Sequence, residues 1–259
     1  MILYLFQTLP LWAVYLLIVL LILISIRGGM FYFRWRRNKF LKEDDSSINT
    51  IVGATLGLLA FMLAFTFGLS SSRFEARKQF LLEEVNSIET AWLRAGLMND
   101  PYAEQLQQQL VEYTEIRIWF VEDKSRINEA ITRSEQIQNK IWAIVTEVVQ
   151  QDGGKNPINS LLVAAVNDMF DNQTNRIAKG AIDHIPDLIW IALLALIVIS
   201  MFEVGYLLGK TKKSNWVLIL ALSLSFSAII MLIVDLDSLS GMISINNQVL
   251  YDMYDRIKG

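Results

Sequence analysis

The fold is decided by residues 51–69, which read IVGATLGLLAFMLAFTFGL. This stretch contains no charged residue, and an α-helix needs about 20 apolar residues to cross roughly 30 Å of hydrocarbon. Three stretches of the same character lie at residues 9–26, 188–208 and 216–234, and Glu203 is the only charged residue in all four. The sequence therefore predicts an all-α membrane protein with four transmembrane helices.

The polar region between the second and third apolar stretches also shows helical spacing of its apolar residues. We expect one helix to continue from the second span as far as Gly96, because Asn99-Asp100-Pro101 follows it. Further helices are expected at 102–149, with a kink or short turn near 123–128, and at 158–182. The loop at 152–157, which contains Gly153-Gly154, separates them.

Three regions follow from this pattern. We predict a first transmembrane pair at residues 1–69 and a long extramembrane helical bundle at 70–187, inserted between the second and third spans. A second transmembrane pair with a short C-terminal tail occupies 188–259. No small-residue cleavage site follows the first apolar stretch, so we interpret it as a retained helix and not a signal peptide.

Composition excludes several functional classes. The formal net charge of −3 and the absence of a basic cluster argue against nucleic-acid binding. The chain has no cysteine and a single histidine, His184, which excludes disulfides, thiolate or two-histidine metal sites, and a charge-relay site with an independent base. We therefore expect no enzyme activity, no cofactor and no bound metal.

Loop charges predict the orientation in the membrane. By the positive-inside rule, basic loops between spans lie in the cytoplasm. Both termini and the helical domain would then be extracytoplasmic, in the periplasm if the chain lies in a bacterial inner membrane. Arg73, Arg77 and Lys78 follow the second span and oppose this bias. The basic residues of the two loops are Arg27, Arg34, Arg36, Arg37, Lys39 and Lys42, and Lys210, Lys212 and Lys213.

Small residues form a stripe along the second span at steps of three and four. In lipid, such stripes let two helices approach closely, because van der Waals contact takes the place of the hydrophobic drive available in water. We predict that this face packs on another helix, within the subunit or between subunits. The stripe consists of Gly53, Gly57, Ala60, Ala64 and Gly68.

Two phenylalanines lie on another face of the same span. Phe61 and Phe65 are four residues apart, which places one ring a helical turn above the other. Ordinary packing or lipid contact would explain them. The functional alternative is a hydrophobic constriction, in which apolar rings around a symmetry axis gate ions by dewetting.

Acidic and basic residues near the spans give two further candidate sites. Glu203 lies about 7 Å inside the third span, where an acid faces a partner or water. It could pair with a basic residue, reach the membrane surface, or take part in an ion or proton path. Arg73 and Arg77 follow the second span on the side where Asp235 and Asp237 end the fourth, so we predict an interfacial charge cluster that clamps helix ends or attracts ions at a pore mouth.

Several of these segments together resemble a known family. They include residues 53–67, Ser72-Arg73-Phe74-Glu75-Ala76-Arg77, the residues Glu84 and Asn86, and Thr90-Ala91-Trp92-Leu93-Arg94. The family they resemble is that of bacterial bestrophin-like membrane proteins. Leu236-Asp237-Ser238-Leu239-Ser240-Gly241 is similar to its Leu-Asp-Arg-Pro-Phe-Ser-Gly motif, without the Arg-Pro.

A more distant resemblance is to the true bestrophins, which are pentameric anion channels with four spans per subunit and a helical domain between the second and third. Their second helix lines the pore with a Phe-xxx-Phe neck, followed eight residues later by arginine, and Phe61, Phe65 and Arg73 match that spacing. The resemblance implies an oligomeric, pentameric ion channel. It also implies a cytoplasmic helical domain, whereas the loop charges place that domain outside, and we follow the loop charges.

Two other functions remain open at this point. A non-conducting sensor or scaffold would bind a ligand or partner through the helical bundle and transmit motion along the second helix. A stator-like unit would use a proton gradient, with Glu203 as the proton-handling residue. The expected partners are the lipid bilayer and further copies of the chain, with inorganic ions possible.

Overall fold

The structure is a computed structural model that describes residues 9–37, 45–123, 126–151, 155–182, 184–210, 215–238 and 241–259. All regular secondary structure in these ranges is helical. A π-helical turn, Arg176–Ile182, follows α5 directly. The α-helices are α1 (Leu11–Arg37), α2 (Asp45–Ala95), α3 (Tyr102–Glu122), α4 (Ile127–Gln151), α5 (Pro157–Asn175), α6 (Asp187–Gly209), α7 (Trp216–Asp237) and α8 (Gln248–Lys258).

Four of these helices, α1, α2, α6 and α7, are long and apolar enough to cross a membrane. They contain the four apolar stretches found in the sequence except residues 9 and 10, which precede α1, and this confirms four candidate spans. In α2 the apolar part is residues 51–69, and the helix continues well beyond it. Lys39, Lys42, Lys212 and Lys213, four of the basic loop residues used to predict orientation, lie outside the described residues.

The predicted helix breaks are also present. The chain leaves helical geometry between Ala95 and Tyr102, around the expected proline, and again between Glu122 and Ile127. Helix α5 begins with proline at its first position, and the Asn156 side chain accepts a hydrogen bond from the backbone N–H of Ile158 at 3.0 Å. The predicted Gly153-Gly154 turn lies outside the described residues.

The chain divides into two compact units. The first comprises Met1–Phe74 and His184–Ser244, and the second Glu75–Asp183 and Ile245–Gly259. The C-terminal helix α8 therefore belongs to the second unit, where Leu250, Met253 and Ile257 join the apolar core. The sequence analysis placed this segment in a tail after the fourth span, and the predicted domain limits stay a prediction.

In the first unit, α1 packs closely against α6 through glycines. A Cβ atom on Gly29 would overlap the backbone carbonyl of Phe202, and one on Gly205 would overlap the carbonyl of Ile26. Because neither glycine carries a side chain, the two helix backbones come into direct contact. This contact fixes α6, and with it Glu203, relative to α1.

In the second unit, apolar residues of α2 and α3 face one another at helical spacing. Leu81, Val85 and Ile88 of α2 are buried with Leu106 and Leu110 of α3. The other contributions to this core come from α4, α5 and α8. The apolar residues whose helical spacing predicted these helices are therefore the residues that are buried in the core.

Candidate functional site

The apolar part of α2 has one face that packs within the first unit. Val52, Leu59, Leu63, Thr66 and Ser70 are all nearly or fully buried there. Ser70 also donates a hydrogen bond from its Oγ to the backbone carbonyl of Ile233 on α7, at 2.9 Å. This buried face anchors the helix in the first unit and leaves the residues of the opposite face exposed.

The phenylalanines predicted as a constriction lie on the exposed side of α2. Phe61 is 64% exposed and Phe65 is 49% exposed. Their ring centroids are 6.4 Å apart and the ring planes differ by 17°, so the rings stack along the helix. The pair thus forms a continuous aromatic surface on the outside of the subunit.

The small-residue stripe is exposed as well, next to the phenylalanines. A Cβ atom built on Gly53, Gly57 or Gly68 would meet no atom within 4 Å, and Ala60 and Ala64 are exposed. Within the described part of the chain, therefore, no helix of the same subunit packs on the glycines of this stripe. Contact between subunits, the other predicted packing mode, stays a prediction for these positions.

Glu203 and Thr55 meet inside the apolar region. The Thr55 hydroxyl donates a hydrogen bond to the Glu203 carboxylate, which links α2 to α6 one helical turn before Leu59. A carboxylate in a span needs a polar partner or water, because lipid offers none. The Thr55 hydroxyl supplies such a contact here.

Two residues of the predicted charge cluster, Arg73 and Asp237, are in contact. Arg73 Nε lies 3.5 Å from Asp237 Oδ1, and the Asp237 carboxylate also accepts a hydrogen bond from the backbone N–H of Ile185 at 3.2 Å. Both Asp237 contacts lie in the first unit and tie the end of its α2 segment to α7 and to the entry of α6. Arg77 is buried in the second unit.

Asp235, a third residue of the predicted cluster, contacts the backbone after α7. Its carboxylate accepts hydrogen bonds from the backbone N–H groups of Met242 at 2.5 Å and Ile243 at 3.0 Å. A Cβ atom on Gly241 would overlap the Asp235 side chain, so glycine is required for this close approach. The carboxylate therefore holds the turn that follows α7. Leu239 and Ser240 of the motif lie outside the described residues.

The family model described as Bestrophin-like domain matches residues 19–250. This match begins inside the first span and includes the other three, the exposed face of α2 and both carboxylates at the end of α7.

The chain belongs to the bestrophin-like family.

Solved structures show the same fold for this bestrophin-like protein. One structure of a bacterial bestrophin homolog from Klebsiella pneumoniae has a TM-score of 0.66 at 12% identity, with 95% of this chain and 96% of that chain covered. A second structure of that homolog, solved by zinc phasing, has a TM-score of 0.63 at 14% identity, with 96% of each chain covered. Among curated proteins, none matches the chain. At such low identity the similarity shows the fold alone.

The second unit of this bestrophin-like protein contains a buried ionic group that the sequence analysis missed. Arg117 donates from Nε to Glu84 Oε1 at 2.7 Å, and Arg176, the first residue of the π-helical turn, donates to Glu84 Oε2. Burial alone would raise the pKa of the Glu84 carboxyl, but the two guanidinium groups outweigh it and hold the pKa below its usual value.

A signal for this group exists in the sequence. Glu84 stands beside Val85 on the apolar face of α2, and Arg117 follows Ile116 in the same way on α3. A charged residue on a buried stripe is rarely fully buried unless it is paired. Periodicity therefore could have marked Glu84 and Arg117 as partners. It could not have identified Arg176, which lies 92 residues from Glu84.

Proposed function

We propose that the protein is an oligomeric ion channel in the inner membrane, with α2 lining the pore and Phe61 and Phe65 forming its constriction. The assembly that the resemblance to bestrophins implies is a pentamer. The observation that supports this proposal most strongly is the exposed side of α2. It presents stacked phenylalanines next to a stripe of glycine and alanine.

The exposed side of α2 has the properties that a pore helix needs. Glycine and alanine allow α2 helices of neighbouring subunits to approach closely around an axis. The phenylalanines beside the stripe would then face that axis. The Phe61 side chains of all subunits would form one apolar ring around it, and the Phe65 side chains a second ring one helical turn away. Water leaves a narrow apolar ring readily, so ions cross it only when it widens.

Arg73 fits the same proposal at the end of the pore segment. It follows Phe65 by eight residues, which is about 12 Å along a helix. Its contact with Asp237 holds the guanidinium at this end of α2. We propose anions as the permeating class, because the resemblance to bestrophins implies them.

Ion flux in liposomes tests the proposal. Purified protein is reconstituted with chloride and a chloride-sensitive dye inside the vesicles, and Phe65→Ala is compared with Phe67→Ala. Both residues lie on α2, but they are separated by about 160° around the helix. We expect chloride flux that rises severalfold with Phe65→Ala and changes little with Phe67→Ala. A wild-type protein that conducts no common anion or cation contradicts the proposal.

A sensor or scaffold is the second candidate, and one observation favours it. The second unit has a polar cavity of about 320 Å³, with Glu83, Asn86, Asp168 and Asp171 among its lining residues. Such a volume suits a small ligand. A protein that is a monomer or dimer in detergent and shows no ion flux in liposomes would support this candidate over the channel. A stator-like unit ranks third, and a Glu203→Gln variant with full function in the native host would contradict it.

A further inference from the structure

A groove on the outside of the first unit lies between α1 and the first turn of α7. Its volume is about 510 Å³, and it is lined by Leu23, Ile24, Arg27, Gly28, Phe31 and Trp216. This volume lies within the range of small-molecule sites. The lining is apolar apart from a single cation, Arg27. The groove is separate from the exposed face of α2 described above.

Arg27 is held at this groove by an aromatic ring. Its Cζ atom lies 4.3 Å from the centroid of the Trp216 ring, so the guanidinium stacks on the indole. Stacking uses the flat face of the guanidinium and leaves its N–H donors, which point outward in the plane, available to an acceptor. The stacked pair is therefore a preorganised site for an anion at the edge of an apolar groove.

The position of the groove along the helices matches the surface of a bilayer. Arg27 directly follows the first apolar stretch, and Trp216 is the first residue of the fourth. Tryptophan settles at the level of lipid headgroups. Arg34 is also exposed and lies seven residues after Arg27, on the same face and about 10 Å farther along the helix. The groove thus has apolar residues toward the membrane interior and cations toward the headgroups.

We infer that this groove is a binding site for an anionic phospholipid, with an acyl chain along Leu23 and Ile24 and the phosphate on Arg27. Guanidinium groups bind phosphate through paired hydrogen bonds. An acyl chain would cover the apolar lining of the groove, which no other described part of this subunit fills. This site goes beyond the proposed conduction and does not depend on it.

Native mass spectrometry of the full-length protein in detergent tests the inference. The protein is titrated with phosphatidylglycerol and, separately, with phosphatidylcholine. We expect wild type to retain phosphatidylglycerol preferentially, and Arg27→Gln to weaken that binding about tenfold, because one charge-assisted contact is lost. Arg36→Gln is the matched control, since residue 36 lies on the opposite side of α1, about 180° away.

A second variant tests the apolar part of the groove. Gly28→Leu keeps Arg27 and fills the groove, and a Cβ at Gly28 makes only ordinary contacts with the Phe202 ring, at 3.7 Å and 3.9 Å. We expect it to lose phosphatidylglycerol as Arg27→Gln does. Equal binding of both lipids, or equal losses in Arg27→Gln and Arg36→Gln, overturns the inference. Complete displacement of phosphatidylglycerol by inorganic phosphate also overturns it. The same holds if Gly28→Leu changes the subunit number but keeps the lipid.

Discussion

At the scale of single residues, the ionic group around Glu84 shows how burial and pairing oppose each other. The Glu84 carboxylate and the Arg117 guanidinium are fully buried, so each has lost its hydration. Removing one member of such a group leaves the others charged and without compensation, which costs more than the group contributes when it is intact. The group therefore matters most as a constraint on which helices can pack together.

We predict that Glu84→Gln lowers the free energy of unfolding of the protein by about 3 kcal/mol at pH 7, because two guanidinium groups then share a neutral partner. Thermal unfolding in detergent, followed by circular dichroism, measures the change. Glu129→Gln is the control, since Glu129 pairs with Arg126 at the surface, 3.1 Å away, and we expect little change there. Comparable losses in the two variants would contradict this account of the buried group.

The same group predicts a dependence on pH. The folded state holds the pKa of Glu84 below 4.5, its value for an unperturbed carboxyl. A depressed pKa contributes stability that is complete above the unfolded value and is lost as the pH falls through the folded value. The difference in stability between wild type and Glu84→Gln should therefore be constant from about pH 6 to 7 and shrink below about pH 4.5. A difference in stability that grows as the pH falls would mean that folding raises the pKa of Glu84, and would contradict the prediction.

At the scale of helices, the contact between α1 and α6 depends on which glycine faces the partner. Gly29 faces the backbone of α6 directly, whereas a Cβ on its neighbour Gly28 would make only ordinary contacts with the Phe202 ring. We predict that Gly29→Ala destabilises the fold by about 1–3 kcal/mol, because a methyl group must force two backbones apart. Gly28→Ala should change stability little. Thermal unfolding of both variants in detergent measures the difference, and equal effects would exclude a close backbone contact.

Helices were also the level at which the sequence was most informative. Hydropathy predicted the four spans, and prolines with polar clusters predicted the breaks near Pro101 and Pro157. The π-helical turn after Asn175 was not predicted, because its sequence has ordinary helical composition. The packing of α8 in the second unit was missed for another reason, since its amphipathic pattern does not reveal which helix it meets. Pairs such as Arg73 and Asp237 could be predicted because both end an apolar stretch.

At the scale of the whole molecule, the exposed stripe on α2 predicts how subunits meet. Gly57→Leu should reduce the number of subunits in the particle, because a large side chain there separates neighbouring α2 helices. Ala221→Leu is the control, since Ala221 is exposed on α7, away from the stripe. Light scattering of the purified variants in detergent gives the mass of each particle. An unchanged mass for Gly57→Leu would exclude the stripe as a subunit contact and, with it, a pore lined by α2.

The orientation of the molecule in the membrane decides on which side of the bilayer the proposed phospholipid site lies. The chain has no cysteine, so a single introduced thiol reports on one position only. Lys155 is exposed in the second unit, and Asn38 belongs to the basic loop between the first two spans. The loop charges predict that a membrane-impermeant maleimide labels Lys155→Cys in intact cells and labels Asn38→Cys only after lysis. The reverse pattern would place the helical unit in the cytoplasm, as in the bestrophins, and would mean that Arg73, Arg77 and Lys78 outweigh the loop lysines and arginines in setting topology.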